Sequence, residues 1–172
     1  NLSGIAPTRA VRGESDHINL PDKRILTFGD VRIGLIHGHR HPLLEGYFRF
    51  QRKLGNMYAG GRHLLESLPE RFSDDPVDVI VFGHLHTAMC IEQDGLMLVN
   101  PGAVYSITRE NAQWQLLHEA DPNRRTILQN HIKSFQGNPY QQQSRSTVGI
   151  LEIRADKSLH TEIHHLPLLA YA

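Results

Sequence analysis

Two apolar segments of strand length, each followed at once by glycine and histidine, constrain this sequence more than any other feature. Residues 31–36 and 77–82 are rich in valine and isoleucine, which favours buried β-strands. The first segment leads into His37-Gly38-His39 and the second into Gly83-His84-Leu85-His86. Glycine lets the backbone turn tightly, and a strand end is a rigid platform for a side chain. The sequence therefore predicts a sheet whose strand ends bring imidazoles together.

The paired histidines favour a metal site over surface turns. Twelve histidines among 172 residues give about one His-x-His pair by chance. Here two such pairs occur, and both follow a strand and lie beside a glycine. Neutral imidazole suits Mn, Fe, Ni and Zn. We expect His37, His84 and His86 to bind metal, whereas His39 and His41 are more typical of solvated loop residues or of residues that support a ligand.

Composition and charge exclude several other classes of protein. The chain is 40% apolar and 21% charged, which fits one soluble domain with a hydrophobic core. Basic and acidic residues number 18 each, so the net charge gives no specific signal of nucleic-acid binding. The sequence leaves the oligomeric state open. Without a membrane-length apolar stretch or a signal peptide, we expect a cytoplasmic protein. The lone Cys90 is expected to pack as a small strand residue.

Turn and helix signals predict the other elements. Asp-Gly at residues 94–95 and Gly-Asp at residues 29–30 favour hairpins. Apolar spacing between Leu43 and Phe72 predicts two short helices separated at Gly60-Gly61, and Pro122 suits the first turn of a helix ending at Phe135. The last hairpin is expected to carry His164 and His165 as ordinary strand residues. The predicted strands cover residues 9–12, 23–28, 31–36, 77–82, 89–92, 96–99, 148–154 and 159–165.

Four motifs, in this order, resemble those of the calcineurin-like metallophosphoesterases. They are Val11-Arg12-Gly13-Glu14-Ser15-Asp16, Ile36-His37-Gly38-His39, Gly83-His84-Leu85-His86 and Asn100-Pro101-Gly102-Ala103. The resemblance is to the small bacterial and archaeal phosphodiesterases, a branch that also contains the metallophosphoesterase-fold retromer subunit, a scaffold. It implies an α/β fold, a four-layer α/β/β/α sandwich. Residues 1–172 would form the C-terminal part of this single domain, with an insertion at 109–146.

The resemblance also implies a role for each candidate residue. His37 and His84 would bind the second of two divalent metal ions, whose identity as Mn, Fe, Ni or Zn is open. His86 would bind the first. Glu14 stands where the family usually has a metal-binding Asn, and a longer, charged ligand there changes metal preference. His39 would contact a phosphate oxygen or support a ligand. Ser15 replaces the catalytic His of larger relatives.

Two family motifs, the opening Asp-x-His and the following Gly-Asp, have no counterpart in these residues. We therefore expect the chain to lack the N-terminal strands and helices and to have little activity alone. For the intact protein, the resemblance implies hydrolysis of phosphomonoesters or phosphodiesters by a hydroxide that two metals activate. Two alternatives stay open. One is a non-catalytic scaffold or binding protein that docks through the 109–146 segment with Trp114 and Tyr140. The other is a single structural zinc bound by histidines and Glu14.

Overall fold

The fold is a mixed α/β arrangement with a five-stranded sheet at its centre. A computed structural model of the chain describes residues 4–14, 16–53, 59–104, 109–135 and 146–166. The strands of the larger sheet are β1 (Lys23–Phe28), β2 (Val31–Ile36), β3 (Val79–Phe82), β4 (Ala88–Gln93) and β5 (Leu96–Pro101), in the order β1-β2-β3-β5-β4. Strands β6 (Thr147–Ile153) and β7 (Leu159–His165) form a separate two-stranded sheet.

The middle of the larger sheet is parallel, and this fixes where the functional loops lie. Strand β3 pairs in parallel with β2 on one side and with β5 on the other. Ile36, the last residue of β2, is in register with Phe82, the last residue of β3. Because parallel strands end at the same edge, the segments that follow β2, β3 and β5 meet there. The predicted buried strands are confirmed, since Val79 and Ile80 are fully buried.

Antiparallel hairpins complete both edges of the sheet, as the turn signals predict. Strand β1 pairs with β2 around Gly29, and β4 pairs with β5 around Asp94-Gly95. Asp94 and Gly95 both have positive φ angles, 52° and 78°, which is the conformation that two-residue hairpin turns require. The final β6–β7 hairpin is also confirmed.

One face of the sheet is covered by helices. Helix α1 (Pro42–Lys53), helix α2 (Ala59–Ser67) and a 3₁₀ turn (Pro69–Phe72) follow β2. Leu64, Leu68 and Phe72 are buried against Ile36 and Phe82 of the sheet. The prediction of two helices is confirmed, but the predicted break at Gly60-Gly61 is wrong. Both glycines lie within α2. Gly60 packs closely against α1, as shown by the 3.3 Å that would separate a Cβ at this position from Phe48 Cβ.

The opposite face of the sheet packs against the β6–β7 hairpin. Val31, Ile33, Val79 and Val99 form a second buried cluster, to which Leu151, Ile153 and Leu159 of the hairpin add apolar side chains. The α/β class is therefore established, with helices on one face of the sheet and a second sheet on the other. The complete four-layer sandwich stays a prediction.

The predicted insertion contains two helices. Helix α4 covers Pro122–Phe135, as predicted, and helix α3 (Arg109–His118) was not foreseen. Ala112 of α3 and Leu128 of α4 form a small core of their own. Trp114 belongs to α3, whereas Tyr140 lies outside the described residues. Whether residues 109–146 form a docking surface stays a prediction.

Two local predictions are wrong. Residues 9–12 form no strand. The backbone there makes isolated contacts instead, with Arg12 N donating to the Pro21 carbonyl and Arg24 Nε to the Ala10 carbonyl. Cys90 lies in β4 as expected, but it is exposed rather than packed, because β4 is an edge strand.

The described helices are too short or too polar to cross a membrane.

Substitution of Gly34 tests the packing of helices on the sheet. A Cβ at this position would lie 2.6 Å from the Phe72 ring. Gly34→Ala should therefore lower the free energy of unfolding by about 1–3 kcal/mol, measured by urea unfolding. The control is Gly46→Ala on α1, which faces open space and should be neutral or stabilising by up to about 1 kcal/mol. Equal urea midpoints for Gly34→Ala and the unsubstituted chain would contradict this packing.

Candidate metal centre

The histidines that follow β2 and β3 lie side by side at the edge of the sheet. The Gly83 amide donates a hydrogen bond of 3.0 Å to the His37 carbonyl, which extends the parallel pairing one step past the ends of both strands. The ring centroids of His37 and His84 are 5.5 Å apart, and the planes of the two rings are inclined by 66°. The predicted convergence of imidazoles at two strand ends is thus seen for these two residues.

Asn100, at the end of β5, fixes the loop that carries His84. Its side chain is fully buried. The Nδ2 group donates to the Gly83 carbonyl at 2.8 Å, and Oδ1 accepts from the Gly102 amide at 2.9 Å. A buried amide whose donor and acceptor are both used holds its neighbours in place. Asn100 therefore has a supporting role that sequence reasoning, which noted only the Asn-Pro-Gly motif, did not assign.

The backbone of the His84 loop has an uncommon conformation. His84 and His86 both have positive φ angles, 65° and 53°. Such angles are rare for residues other than glycine and cluster at functional sites, where the surrounding structure holds them. The turn directs the two side chains differently. As a result, His84 is half-buried whereas His86 is exposed.

Glu14 approaches the two histidines from the N-terminal segment. Gly13 packs against the imidazole of His37, since a Cβ on Gly13 would lie 3.1 Å from His37 Cδ2. This close approach places Glu14 Oε2 3.0 Å from His84 Nδ1. Ligand atoms of Glu14, His37 and His84 all lie within 4.8 Å of one another, close to the span across an ion with bonds of about 2.0–2.2 Å.

The donor set fits a divalent transition metal. Burial lowers the pKa of His37, and the nearby His84 and His39 lower it further, so the imidazole is neutral and able to act as a ligand at pH 7. Its Nδ1 atom is buried without a hydrogen-bond partner among the described residues. Two imidazoles and a carboxylate are a common ligand set for Zn, Mn or Fe.

The other predicted residues lie around this cluster. His39 is half-buried with its ring 5.4 Å from that of His37, and its carbonyl accepts a hydrogen bond from Arg71. His86 does not belong to the cluster of three, so its role at a first metal stays a prediction, as does the role of His39. His41 is exposed immediately before α1. Ser15 lies outside the described residues.

Sequence reasoning missed two residues, Glu45 and Arg40. Glu45 Oε1 lies 3.1 Å from His84 Nε2 and 3.0 Å from Arg40 Nε. Burial alone would raise the pKa of Glu45, but hydrogen bonds from Arg40 and the nearby His84 lower it overall. An acidic residue in the first turn of a helix is ordinary, so the sequence around Glu45 gave no signal of this contact.

A cavity of about 1560 Å³ opens beside Glu14 and His84. Its wall combines three carboxylates and two guanidinium groups with apolar side chains, and includes His39, Glu45, Glu66, Arg40, Arg62, Phe48, Leu65 and Met89. The cavity therefore offers apolar surface beside a small number of charged groups, as ligand sites commonly do.

The calcineurin-like phosphoesterase superfamily domain matches residues 1–121. The chain belongs to this family. A probable metallophosphoesterase of Methanocaldococcus jannaschii is 33% identical over 104 residues, which are 60% of this chain and 44% of that protein. The chain thus spans less than half the length of this curated relative.

Two solved structures are also similar to the chain. Zinc-bound Vps29 of Entamoeba histolytica is 20% identical, with a TM-score of 0.41 over 90% of this chain and 67% of that one. An archaeal phosphodiesterase is 17% identical, with a TM-score of 0.34 over 84% of this chain and 52% of that one.

The lowered pKa of His37 predicts loss of stability in acid. Between this pKa and the unfolded value of 6.5, the unfolded chain binds more protons than the folded chain. The free energy of unfolding should therefore fall as the pH drops through that range. Urea unfolding in EDTA, from about pH 7.5 to about pH 5.5, measures the slope. His37→Gln should flatten it, and the exposed-site control His17→Gln should not. A slope that His37→Gln leaves unchanged would contradict the assignment.

Proposed function

We propose that the protein is a metal-dependent phosphoesterase and that this chain supplies one of its metal positions. The observation that carries the proposal is the convergence of Glu14, His37 and His84 within 4.8 Å. Family membership supports phosphoester chemistry. Two neutral imidazoles and one carboxylate leave a bound divalent cation with net positive charge, which a phosphate group requires.

The residues of the chain have distinct tasks in this reaction. When bound, a divalent ion supplies Lewis-acid polarisation of the phosphoester and an acidified water. Glu14, His37 and His84 would hold that ion. His39 lies beside His37 on the cavity wall and would donate a hydrogen bond to a phosphate oxygen. His86 would serve a second metal position.

The cavity supports a substrate with an anionic and an apolar part. Arg62 is exposed along its wall, where it would attract the phosphate. Phe48, Leu65 and Met89 supply apolar surface for the organic group of a phosphomonoester or phosphodiester. We propose this class of substrate, with no preference among its members.

A binding protein without catalysis is the second candidate. Glu14 carries a negative charge at the position where the calcineurin-like metallophosphoesterases usually have a neutral Asn. This charge reduces the attraction of the site for phosphate. Helix α1 also exposes Leu43, Tyr47 and Phe50, whose exposed fractions are 79%, 53% and 58%, and exposed apolar side chains in one group are typical of binding surfaces. A single structural zinc is a third candidate, distinguished by metal counting.

Hydrolysis by the full-length protein tests the enzyme proposal. Protein stripped of metal should not hydrolyse p-nitrophenyl phosphate or bis(p-nitrophenyl) phosphate, and Mn²⁺ should restore turnover. A double variant, His37→Ala with His84→Ala, should lose at least about 100-fold in turnover. The control His165→Ala changes an exposed strand histidine and should keep full activity.

Metal counting separates the candidates. Two exchangeable ions per full-length protein, together with hydrolysis, support the enzyme. One tightly held zinc without hydrolysis supports the structural site. Metal binding that survives the double variant would contradict the assignment of His37 and His84.

Replacement of Glu14 tests its role as a charged ligand. Glu14→Asn keeps an oxygen donor but removes the negative charge that lies 3.0 Å from His84. Zinc affinity, measured by calorimetry on the chain, should fall about 10-fold or more. Asp16→Asn removes an equal charge from a neighbouring residue that caps the Gly13 amide, and it should have the smaller effect. Equal effects of the two substitutions would assign the loss to the local field rather than to ligation.

A further inference from the structure

The imidazole of His84 lies between two carboxylates from different parts of the chain. On one side, Nδ1 is 3.0 Å from Glu14 Oε2. On the other side, Nε2 is 3.1 Å from Oε1 of Glu45, which projects from the first turn of α1. Glu14 belongs to the cluster with His37 and His84, whereas Glu45 does not. The two ring nitrogens of His84 therefore have different surroundings.

A neutral imidazole carries its proton on one nitrogen and a lone pair on the other. A carboxylate next to one nitrogen favours the proton there and leaves the other nitrogen free for a metal. We propose that Glu45 is a positioning residue, which holds the Nε2–H side of His84 so that Nδ1 faces the metal position. This inference rests on the metal centre proposed above and deepens it.

Arg40 holds Glu45 in this position. Its side chain is almost fully buried, at 5% exposure, and its guanidinium donates to both carboxylate oxygens, from Nε at 3.0 Å and from Nη2 at 3.3 Å. The Arg40 backbone amide also donates to Oε1, at 3.2 Å. With donors on both oxygens, Glu45 loses much of its freedom to rotate away from His84.

Arg40 is itself anchored to both helices. Its Nη1 group donates to the Gly60 carbonyl of α2, and its guanidinium lies 4.4 Å from the centre of the Phe48 ring of α1. The charge of Arg40 also offsets that of Glu45, so the second carboxylate does not cancel the positive charge needed for phosphate. The orientation of His84 thus depends on the packing of α1 and α2.

An acidic residue at position 45 has a simpler explanation, but that explanation does not account for the contacts of Glu45 with His84 and Arg40. Negative charge in the first turn stabilises a helix through its dipole, and Glu45 is the acidic residue of that turn in α1. A dipole effect needs neither proximity to His84 nor the ion pair with Arg40. The two explanations differ in what they predict for the imidazole of His84.

Nitrogen NMR of the chain tests the protonation of His84 directly. In the zinc-loaded chain, with ¹⁵N-labelled histidine, we expect the His84 proton on Nε2 and the zinc-shifted resonance at Nδ1. Zinc bound through Nε2, with the proton on Nδ1, would overturn the positioning role but leave the metal centre intact. Zinc that causes no change at His84 or His37 would overturn the metal centre as well.

Zinc affinity of variants tests the same role by an independent readout. Glu45→Ala should weaken zinc binding about 10–100-fold. Glu45→Gln keeps an oxygen acceptor for Nε2–H and should recover part of the loss. The control Glu66→Ala removes a carboxylate exposed along the same cavity and should bind zinc within about twofold of the unsubstituted chain.

Stability measurements separate positioning from folding. Urea unfolding in EDTA gives the stability of each variant without metal. If Glu45→Ala fails to fold, the zinc affinity of Glu45→Gln and the protonation of His84 measured by NMR test the positioning role instead. Zinc affinities for both Glu45 variants that match the Glu66→Ala control would overturn the inference.

Discussion

The proposed metal centre depends on the parallel pairing of β2 with β3. The register sets Ile36 beside Phe82, so the next residues of both strands emerge together, joined by the Gly83–His37 hydrogen bond. Asn100, from the next parallel strand, then locks the Gly83 carbonyl. A slip of one residue in this register would turn the buried side chains of β3 to the other face of the sheet and would separate the two strand ends. The apolar side chains that bury the strands are therefore also what brings the imidazoles together.

The charged side chains around His84 partly neutralise one another. The ring contacts one carboxylate that faces the proposed ion and another that faces away, and Arg40 neutralises the second. Glu14 thus remains the main source of negative charge within the cluster of three. A neutral Asn there would leave more positive charge for a phosphate group, so this one residue bears directly on the choice between catalysis and binding. Helices α1 and α2, which cover the sheet, contribute to the same balance through Arg40 and Gly60.

Short sequence patterns predicted the strands, turns and helix starts whose formation depends on neighbouring residues. Valine-rich and isoleucine-rich runs gave β2 and β3, Asp94-Gly95 gave a hairpin, and Pro122 marked the start of α4. Helix α3 was missed because its apolar residues lack a clear helical period. Within the site, His37 and His84 followed from strand ends and Glu14 from the resemblance. Glu45 could not be predicted, because its contact with His84 arises only when α1 packs beside the end of β3.

The central claim is that Glu14, His37 and His84 together bind a divalent ion at the end of the parallel strands. Anomalous X-ray scattering from crystals of this chain soaked in Mn²⁺ tests it most directly. We expect an anomalous peak among the three side chains, on the Nδ1 side of His84 and away from Glu45. A peak at another group of residues, or none at this position when Mn²⁺ is bound elsewhere in the crystal, would contradict it.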